Sequence, residues 1–454
     1  MSTARYSSLV LFVLVLAFTT TVYSAYTTIS TGAQLKAFAN EVNAGTTYSG
    51  STVTLANDID MNGVTDFPII GFYGKATDFR GVFDGKGYRI KNLNITTSSI
   101  RYAGLFGYSW SCTIKNVVID SSCSVTNSES TCGYAAGIIT YADTGGSETK
   151  IQNCVNMGAI TGKGPKSKVG GIAGLLYGNN PAKIENCVNI GKIEYAGAAE
   201  KAYVGGIVGW IAGAEGKVPS VYNCVNLGEI KLTTKPTEVG GIVGSCTMST
   251  GIIQKNYWLS GTASKGYTGG TASGNEAFGS DYKLSSGASL VNTLNNYASS
   301  SGLQKWGTVT FNMNGGNPVS SRMTMWFMLG APDTPTKTGH DFKGWFTDTR
   351  FNNALDMNKR YGSGGGASLY AKWSVNNYTL IFDFDNGTVD EKTFYFNETI
   401  DYPENPTKLG YTFDGWDINP AFMPAEDTTI KAMWTPNNYT VTFNTNWGSL
   451  LSNL

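Results

Sequence analysis

The sequence predicts an all-β chain: a right-handed parallel β-helix (solenoid) of glycine-rich coils, closed by a short N-terminal capping helix and followed by a tail of small β repeats. Two observations carry this. Two short phrases alternate at a nearly fixed period through the first half, and from Trp306 a different, aromatic-glycine vocabulary recurs at a longer interval. Units of roughly 20–50 residues that cannot bury their apolar sides alone are stabilised by stacking on their neighbours. Glycine supports the reading: 56 of 454 residues against a usual ~7 % implies many turns and close backbone approaches.

Residues 1–24 read as a secretory signal peptide. Arg5 precedes an apolar run over 9–18, too short to cross a hydrocarbon layer that needs roughly 20 residues. Val22 and Ser24 place the cleavage between Ser24 and Ala25. No later run approaches spanning length, so no membrane span is expected, and the chain is expected to be secreted or displayed at the cell surface. Thr31 is placed to cap a helix over 34–42, with Leu35, Phe38 and Val42 on one stripe. That helix would cover the open end of the coil stack, which otherwise is an unpaired strand edge.

The coil domain is expected over 25–260. Ile151-Gln-Asn-Cys154-Val-Asn-Met-Gly158 recurs as Ile184-Glu-Asn-Cys187-Val-Asn-Ile-Gly191 and Val221-Tyr-Asn-Cys224-Val-Asn-Leu-Gly228. Between the copies lies Val169-Gly-Gly-Ile-Ala-Gly174, repeated from Val204 and Val239 at an interval of 35 residues. Gly170 and Gly171 would let the chain turn where a Cβ would clash. Fainter copies start at Gly81, Tyr102 and Gly133.

Cys154, Cys187 and Cys224 share one repeat position and are predicted to form a ladder. A zinc site is the sharper reading, but a flat row of sulfurs does not enclose a tetrahedral ion, and buried small hydrophobes fit better. Asn153, Asn186 and Asn223 beside them are expected to stack their amides. The cysteine count, seven, is odd, and Cys112, Cys123 and Cys132, in one irregular stretch, are the better disulfide candidates.

These phrases, with Thr54-Leu-Ala-Asn-Asp-Ile-Asp60, Phe83-Asp-Gly-Lys-Gly87 and Ala103-Gly-Leu-Phe-Gly107, resemble the GLUG-repeat family of surface proteins. The resemblance implies a secreted or cell-surface protein, in some members an adhesin or a domain flanking a peptidase.

Residues 261–305 are rich in Ser, Gly, Asn and Thr and read as a linker, although Leu284, Leu290, Val291 and Leu294 suggest a short helix. Two tail units follow, 306–375 and 376–436. The first carries Val309-Thr-Phe-Asn312, Gly339-His-Asp-Phe-Lys-Gly-Trp345 and Leu369-Tyr-Ala-Lys-Trp373. The second carries Tyr378-Thr-Leu-Ile-Phe382, Gly410-Tyr-Thr-Phe-Asp-Gly-Trp416 and Ile430-Lys-Ala-Met-Trp434. They resemble the internalin B-type, or Listeria–Bacteroides, repeat, which implies small β-grasp-like modules. The first unit departs in His340 and in an insertion from Tyr361 to Gly366. Trp345, Trp373, Trp416 and Trp434 are read as core and spacer aromatics rather than sugar platforms, because units this small rely on large rings for buried area. Residues 437–454 open an incomplete third unit, so the natural product is expected to continue or its gene to have been read short.

The chemistry sought is mostly absent. His340 is the sole histidine, which leaves the solenoid no imidazole for a metal site or a Ser-His-Asp arrangement. Lys plus Arg balances Asp plus Glu at 33 each, so no charge field draws nucleic acid. Catalytic, cofactor-binding and metal residues are accordingly expected to be none. The rival reading, a carbohydrate-active lyase or hydrolase, has only Asp58, Asp60, Asp66, Asp78, Asp84 and Arg80 to draw on, and Asp and Asn in such phrases commonly serve turns. Asn94, Asn377, Asn386, Asn397 and Asn438 head Asn-Xaa-Thr sequons, glycan acceptors in a eukaryotic secretory pathway and without meaning in a bacterium. The function expected is non-enzymatic adhesion or binding to a host-cell, matrix or glycan ligand, as a monomer or a surface array. The solenoid would present the face and the tail would act as spacer; a purely structural coat is the blander alternative.

Overall fold

The computed structural model describes residues 26–74, 77–178, 180–197, 201–214, 217–234, 238–269, 271–278, 284–286, 288–319, 322–324, 334–356, 367–444 and 446. The expected signal peptide and the insertion from Tyr361 to Gly366 lie outside them. The chain divides into two compact units, one reaching Trp258 with Thr262–Asn275 added, the other formed by Leu259–Gly261 and the residues from Glu276 on.

The first unit is a parallel β-solenoid of about six turns. Equivalent strands of successive coils stack in register. In a nine-stranded sheet that starts at Thr28–Ile29 and ends at Thr271–Ser273, Phe83, Ile114, Ile151, Ile184, Val221 and Ile253 lie one above the next. All six are fully buried. Each aliphatic side chain therefore meets its own counterpart, and burying one is worth about 1.5–3 kcal/mol. Three five-stranded sheets, begun by Asn94–Thr97, Tyr102–Ala103 and Phe106–Trp110, complete the walls beside a further sheet begun by Ile59–Asp60.

The N-terminal cap forms as expected, slightly longer. Helix α1 (Gly32–Asn43) starts at Thr31, whose hydroxyl accepts from Gln34 N, while Gln34 Oε1 reaches back to accept from Ser30 N at 2.7 Å. Its buried stripe of Leu35, Phe38 and Val42 sets Phe38 against Phe79 and Phe83 at 5.8 and 5.7 Å. The helix thereby covers the first core layer.

Two devices turn the corners. Asn92, Asn116, Asn153, Asn186 and Asn223 all hold left-handed backbone with φ of 54–56°, a conformation that asparagine tolerates better than most residues. The Gly-Gly phrase works by close approach instead. A Cβ on Gly170 would lie 2.0 Å from Ala173 O, and one on Gly171 would lie 2.3 Å from Asn189 Cγ.

In the stretch 261–305 the structure places the strand Thr271–Ser273, paired with Ile252–Gln254, and helix α2 (Leu290–Ser300), which buries Leu290, Val291, Leu294 and Ala298. The second unit continues with two four-stranded mixed sheets of one topology. In the first, Gly307–Asn312 runs parallel to Ala367–Val375, between antiparallel Arg322–Thr324 and His340–Phe346. In the second, Asn377–Asp383 and Thr428–Pro436 are flanked by Val389–Tyr395 and Tyr411–Trp416. The Gly-Trp phrase marks a bulge in both, with Gly344 at φ +114° and Gly415 at +120°, where a side chain is strained. Trp345 and Trp416 then turn inward against Phe311 and Phe382.

Candidate functional site

The opening carboxylates are engaged in structure. Asp84 Oδ1 accepts from Lys86 N at 2.9 Å and Asn116 Nδ2 at 2.7 Å. Asp78 grips Arg80 through two bonds of 2.7 and 3.1 Å. Asp58 accepts from Arg89 N and pairs with Lys91 at 2.9 Å. Bonds from Asn92 and from Asn62 N hold the Asp60 carboxyl below its usual range. Asp66 is exposed in a turn with φ +51°. Asp60 lies in the sheet begun by Ile59–Asp60 and Asp84 in the nine-stranded sheet. Among the described residues no cluster of three or more His, Cys, Asp or Glu could hold a metal ion. His340 is half-buried, with Nδ1 2.8 Å from Thr338 O and its ring edge-on to Phe396.

The repeated phrase builds two amide rows. In the first, Asn223 donates to Asn186, Asn186 to Asn153 and Asn153 to Asn116, at 2.8–3.0 Å. Asn116 in turn donates to Asp84, an acceptor-only group that closes the row. The second row, Asn156, Asn189 and Asn226, runs the other way, and each Nδ2 also reaches the carbonyl of Gly158, Gly191 or Gly228. Cys154, Cys187 and Cys224 lie fully buried between these rows. Cys154 N and Cys187 N each sit 3.4 Å from the next sulfur, and Cys224 N donates to Asn256 Oδ1.

All seven cysteines are free thiols. Cys112, Cys123 and Cys132, expected as disulfide candidates, are held apart because each precedes a strand of a different sheet. Burial pushes the Cys112 thiol up to about 12 and the Cys123 thiol up to about 11. Asn94, Asn377, Asn386, Asn397 and Asn438 are all exposed.

The feature that sequence reasoning missed is an aromatic seam on the outside of the solenoid. Around each glycine corner two strands fold against each other, so the residue just before the Val-Gly-Gly phrase, or its equivalent in the first two coils, meets the residue seven positions on, six in the first coil, on the outer side. The leading positions are Tyr102, Tyr134, Lys168, Tyr203 and Glu238 in register. Their partners are Tyr108, Tyr141, Leu175, Trp210 and Ser245. Tyr134 and Tyr141 meet at 6.0 Å, Tyr203 and Trp210 stack at 5.1 Å and 7°, and Tyr73, 60 % exposed, stacks on Tyr141. The Lys168 ammonium lies 5.1–5.7 Å from the rings of Tyr134, Trp210 and Tyr203. Burial raises the Tyr102 phenol to about 12, and burial likewise pushes Tyr108, Tyr134 and Tyr141 upward. These phenols therefore stay neutral at physiological pH. Within the seam Tyr102, Tyr108, Tyr134 and Tyr203 are buried and Tyr141, Tyr177 and Trp210 half-buried, while Tyr73 and Trp110 are exposed at its edge.

Comparison with known proteins divides the chain as the structure does. Residues 308–372 and 378–437 match the Listeria-Bacteroides repeat domain. The tail is a pair of these repeats. Over 156 residues the chain is 36 % identical to a candidate Gly-rich membrane protein of Evansella cellulosilytica, covering 32 % of this chain and 18 % of that one. It is 31 % identical to internalin H of Listeria monocytogenes over 24 % of this chain and 22 % of that one. The chain thus spans less than a quarter of these curated relatives. A crystal structure of a candidate immunoglobulin A1 protease from Bacteroides ovatus aligns with a TM-score of 0.44 at 19 % identity, covering 60 % of this chain and 87 % of that chain. The tail repeats and the internalin relative point to a surface or secreted protein. Among the described residues no helix is long and apolar enough to cross a membrane.

Proposed function

We propose that the protein is a surface-displayed, non-enzymatic adhesion protein in which the solenoid presents the binding face and the tail repeats hold it away from the anchoring surface. The observation that carries this reading is the aromatic seam. Tyr and Trp supply large contact area with few rotors to immobilise and so dominate binding hot spots, and on this lateral face of the solenoid the exposed Tyr73 and Trp110 flank Tyr108, with half-buried Tyr141 and Trp210 behind them. The GLUG-like phrases and the name of the internalin relative agree with it. The signal peptide delivers the chain outside the cell, and in a eukaryotic host the exposed sequons would give the tail a glycan coat.

The test is saturable binding of residues 25–454 to host cells and to immobilised matrix proteins, read by flow cytometry and surface plasmon resonance. Two partners for comparison are the Tyr73→Ser, Trp110→Ser double variant and the chain lacking 25–260. Binding that falls at least tenfold in the double variant and disappears with the solenoid supports the proposal. Undiminished binding by the chain without its solenoid would sink it.

A further inference from the structure

The two tail repeats set one backbone frame around two different corners. Trp373 Nε1 donates to Met313 O at 2.7 Å, as Trp434 Nε1 does to Phe384 O at 3.0 Å. Asn312 Oδ1 accepts from Asn314 N as Asp383 Oδ1 accepts from Asp385 N. The parallel register sets Asn312 beside Tyr370 where it sets Asp383 beside Lys431. Lys337 and Lys408 occupy matching places over the two tryptophans.

In the second repeat the charges are matched. Lys408 pairs with Asp385 at 2.7 Å, and Lys431 lies 3.9 Å from Asp383. In the first, both carboxylates are amides and one ammonium is a phenol. Lys337 Nζ donates to the Asn314 carbonyl at 3.1 Å and lies 6.0 Å from the Trp373 ring centre. Among the described residues it forms no ion pair. A half-buried ammonium without a counter-charge favours an anion arriving from outside.

That corner opens into a cavity of about 410 Å³ lined by Asn312, Asn314, Lys337, Phe351, Tyr370 and Trp373, among others. The volume falls in the range of small-molecule sites. Three rings offer apolar faces. Among the described residues Asn312 Nδ2, Asn314 Oδ1 and the Tyr370 hydroxyl form no hydrogen bond, so donors and an acceptor are free beside the Lys337 ammonium. No arginine is among the lining residues described, and the Lys337 ammonium acts as a point charge suited to a monovalent group.

We propose that the first tail repeat is a second binding site, for the uronic acid residues of an acidic polysaccharide, with the sugar ring against Trp373 and its carboxylate on Lys337. The second repeat fills the same corner with its own carboxylates. This site is independent of the solenoid face.

The probe is a galacturonic acid pentamer titrated calorimetrically into residues 25–454, with maltopentaose as the neutral control. Binding of the acidic oligomer alone, weakened by salt, is expected. Lys337→Gln should weaken it at least tenfold, and Asn314→Asp, which supplies the partner present in the second repeat, should do the same. Asp385→Asn should leave it unchanged. Each variant is checked for a folded tail by a cooperative thermal transition, which Asp385→Asn is expected to shift only slightly. Absence of pentamer binding, equal binding of maltopentaose, or full binding by the folded Lys337→Gln variant would overturn the proposal.

Discussion

The solenoid and the tail are both built by repetition, and they use it in opposite ways. In the solenoid each residue's neighbours are its own copies above and below, so Ile151, Ile184 and Val221 form one continuous wall. In the tail each unit closes its own core, around Val309, Trp345 and Leu369 in the first and around Leu380, Phe382 and Ile430 in the second. A stacked position in the inner wall is therefore constrained by the copies above and below it, whereas a tail position can drift without consequence for its sister. Asn312 against Asp383 and Lys337 against Lys408 show that drift turning one frame into two chemistries.

The contrast is broken most forcefully inside the wall. Ile184→Ala leaves a cavity between two coils and should lower solenoid stability by about 3 kcal/mol. In calorimetry the transition of the solenoid should fall while that of the tail stays in place; a common shift of both would show that the two units do not unfold separately.

A smaller effect is expected from the amide row. Asn186 both donates and accepts within it and holds φ +54°. Asn186→Ala should cost about 2 kcal/mol, from the orphaned amides of its neighbours and from a Cβ in left-handed backbone. Asn186→Gly removes the second contribution, so the glycine variant should be the more stable by about 1 kcal/mol in chemical denaturation. Equal losses would mean that the backbone conformation contributes nothing.

How far the sequence carried these conclusions differed by residue. The Asn153 row was legible because asparagine recurs at the same place in every copy, next to the equally regular cysteines. The Asn156 row lies three residues further on in the same phrase and was passed over, because nothing in the alternation tells which of two asparagines faces its copies. The seam was hidden for another reason. Its positions hold Tyr, Lys and Glu on one strand set and Tyr, Leu, Trp and Ser on the other, so a search for identity does not find them. Only the register brings Tyr203 onto Trp210 and Lys168 between the rings. Free thiols at Cys112, Cys123 and Cys132 were unreadable because their separation depends on which sheet each one precedes.

A milder test concerns Asp84, where the amide row ends on a carboxylate. Asp84→Asn keeps an oxygen for Lys86 N and Asn116 but removes the charge facing Lys115 at 3.6 Å, and should cost about 1 kcal/mol. The same variant separates structure from catalysis. Release of reducing ends from a polysaccharide by the parent chain, abolished in Asp84→Asn, would make this residue catalytic rather than a terminus.

The smallest effect separates charge pairs that link coils from those confined to a unit. Glu194 binds Lys192 of its own coil at 3.0 Å and Lys231 of the next at 3.2 Å, and these bonds, Lys192 first, hold its carboxyl below the usual range. A depressed carboxylate contributes stability that is present above its unfolded-state value and lost as pH falls through the folded one. Because the half-buried Glu194 pairs with two lysines whose side chains are themselves exposed, screening limits the contribution to under about 1 kcal/mol. Glu194→Gln should therefore lower the solenoid transition slightly at pH 7, and the difference from the parent chain should vanish as pH is taken below the carboxylate range. Asp385, depressed by Lys408 within a single tail unit, follows the same sign, but Asp385→Asn should displace only the tail transition. If Glu194→Gln displaced the tail instead, the pairing between coils would not be what Glu194 supports.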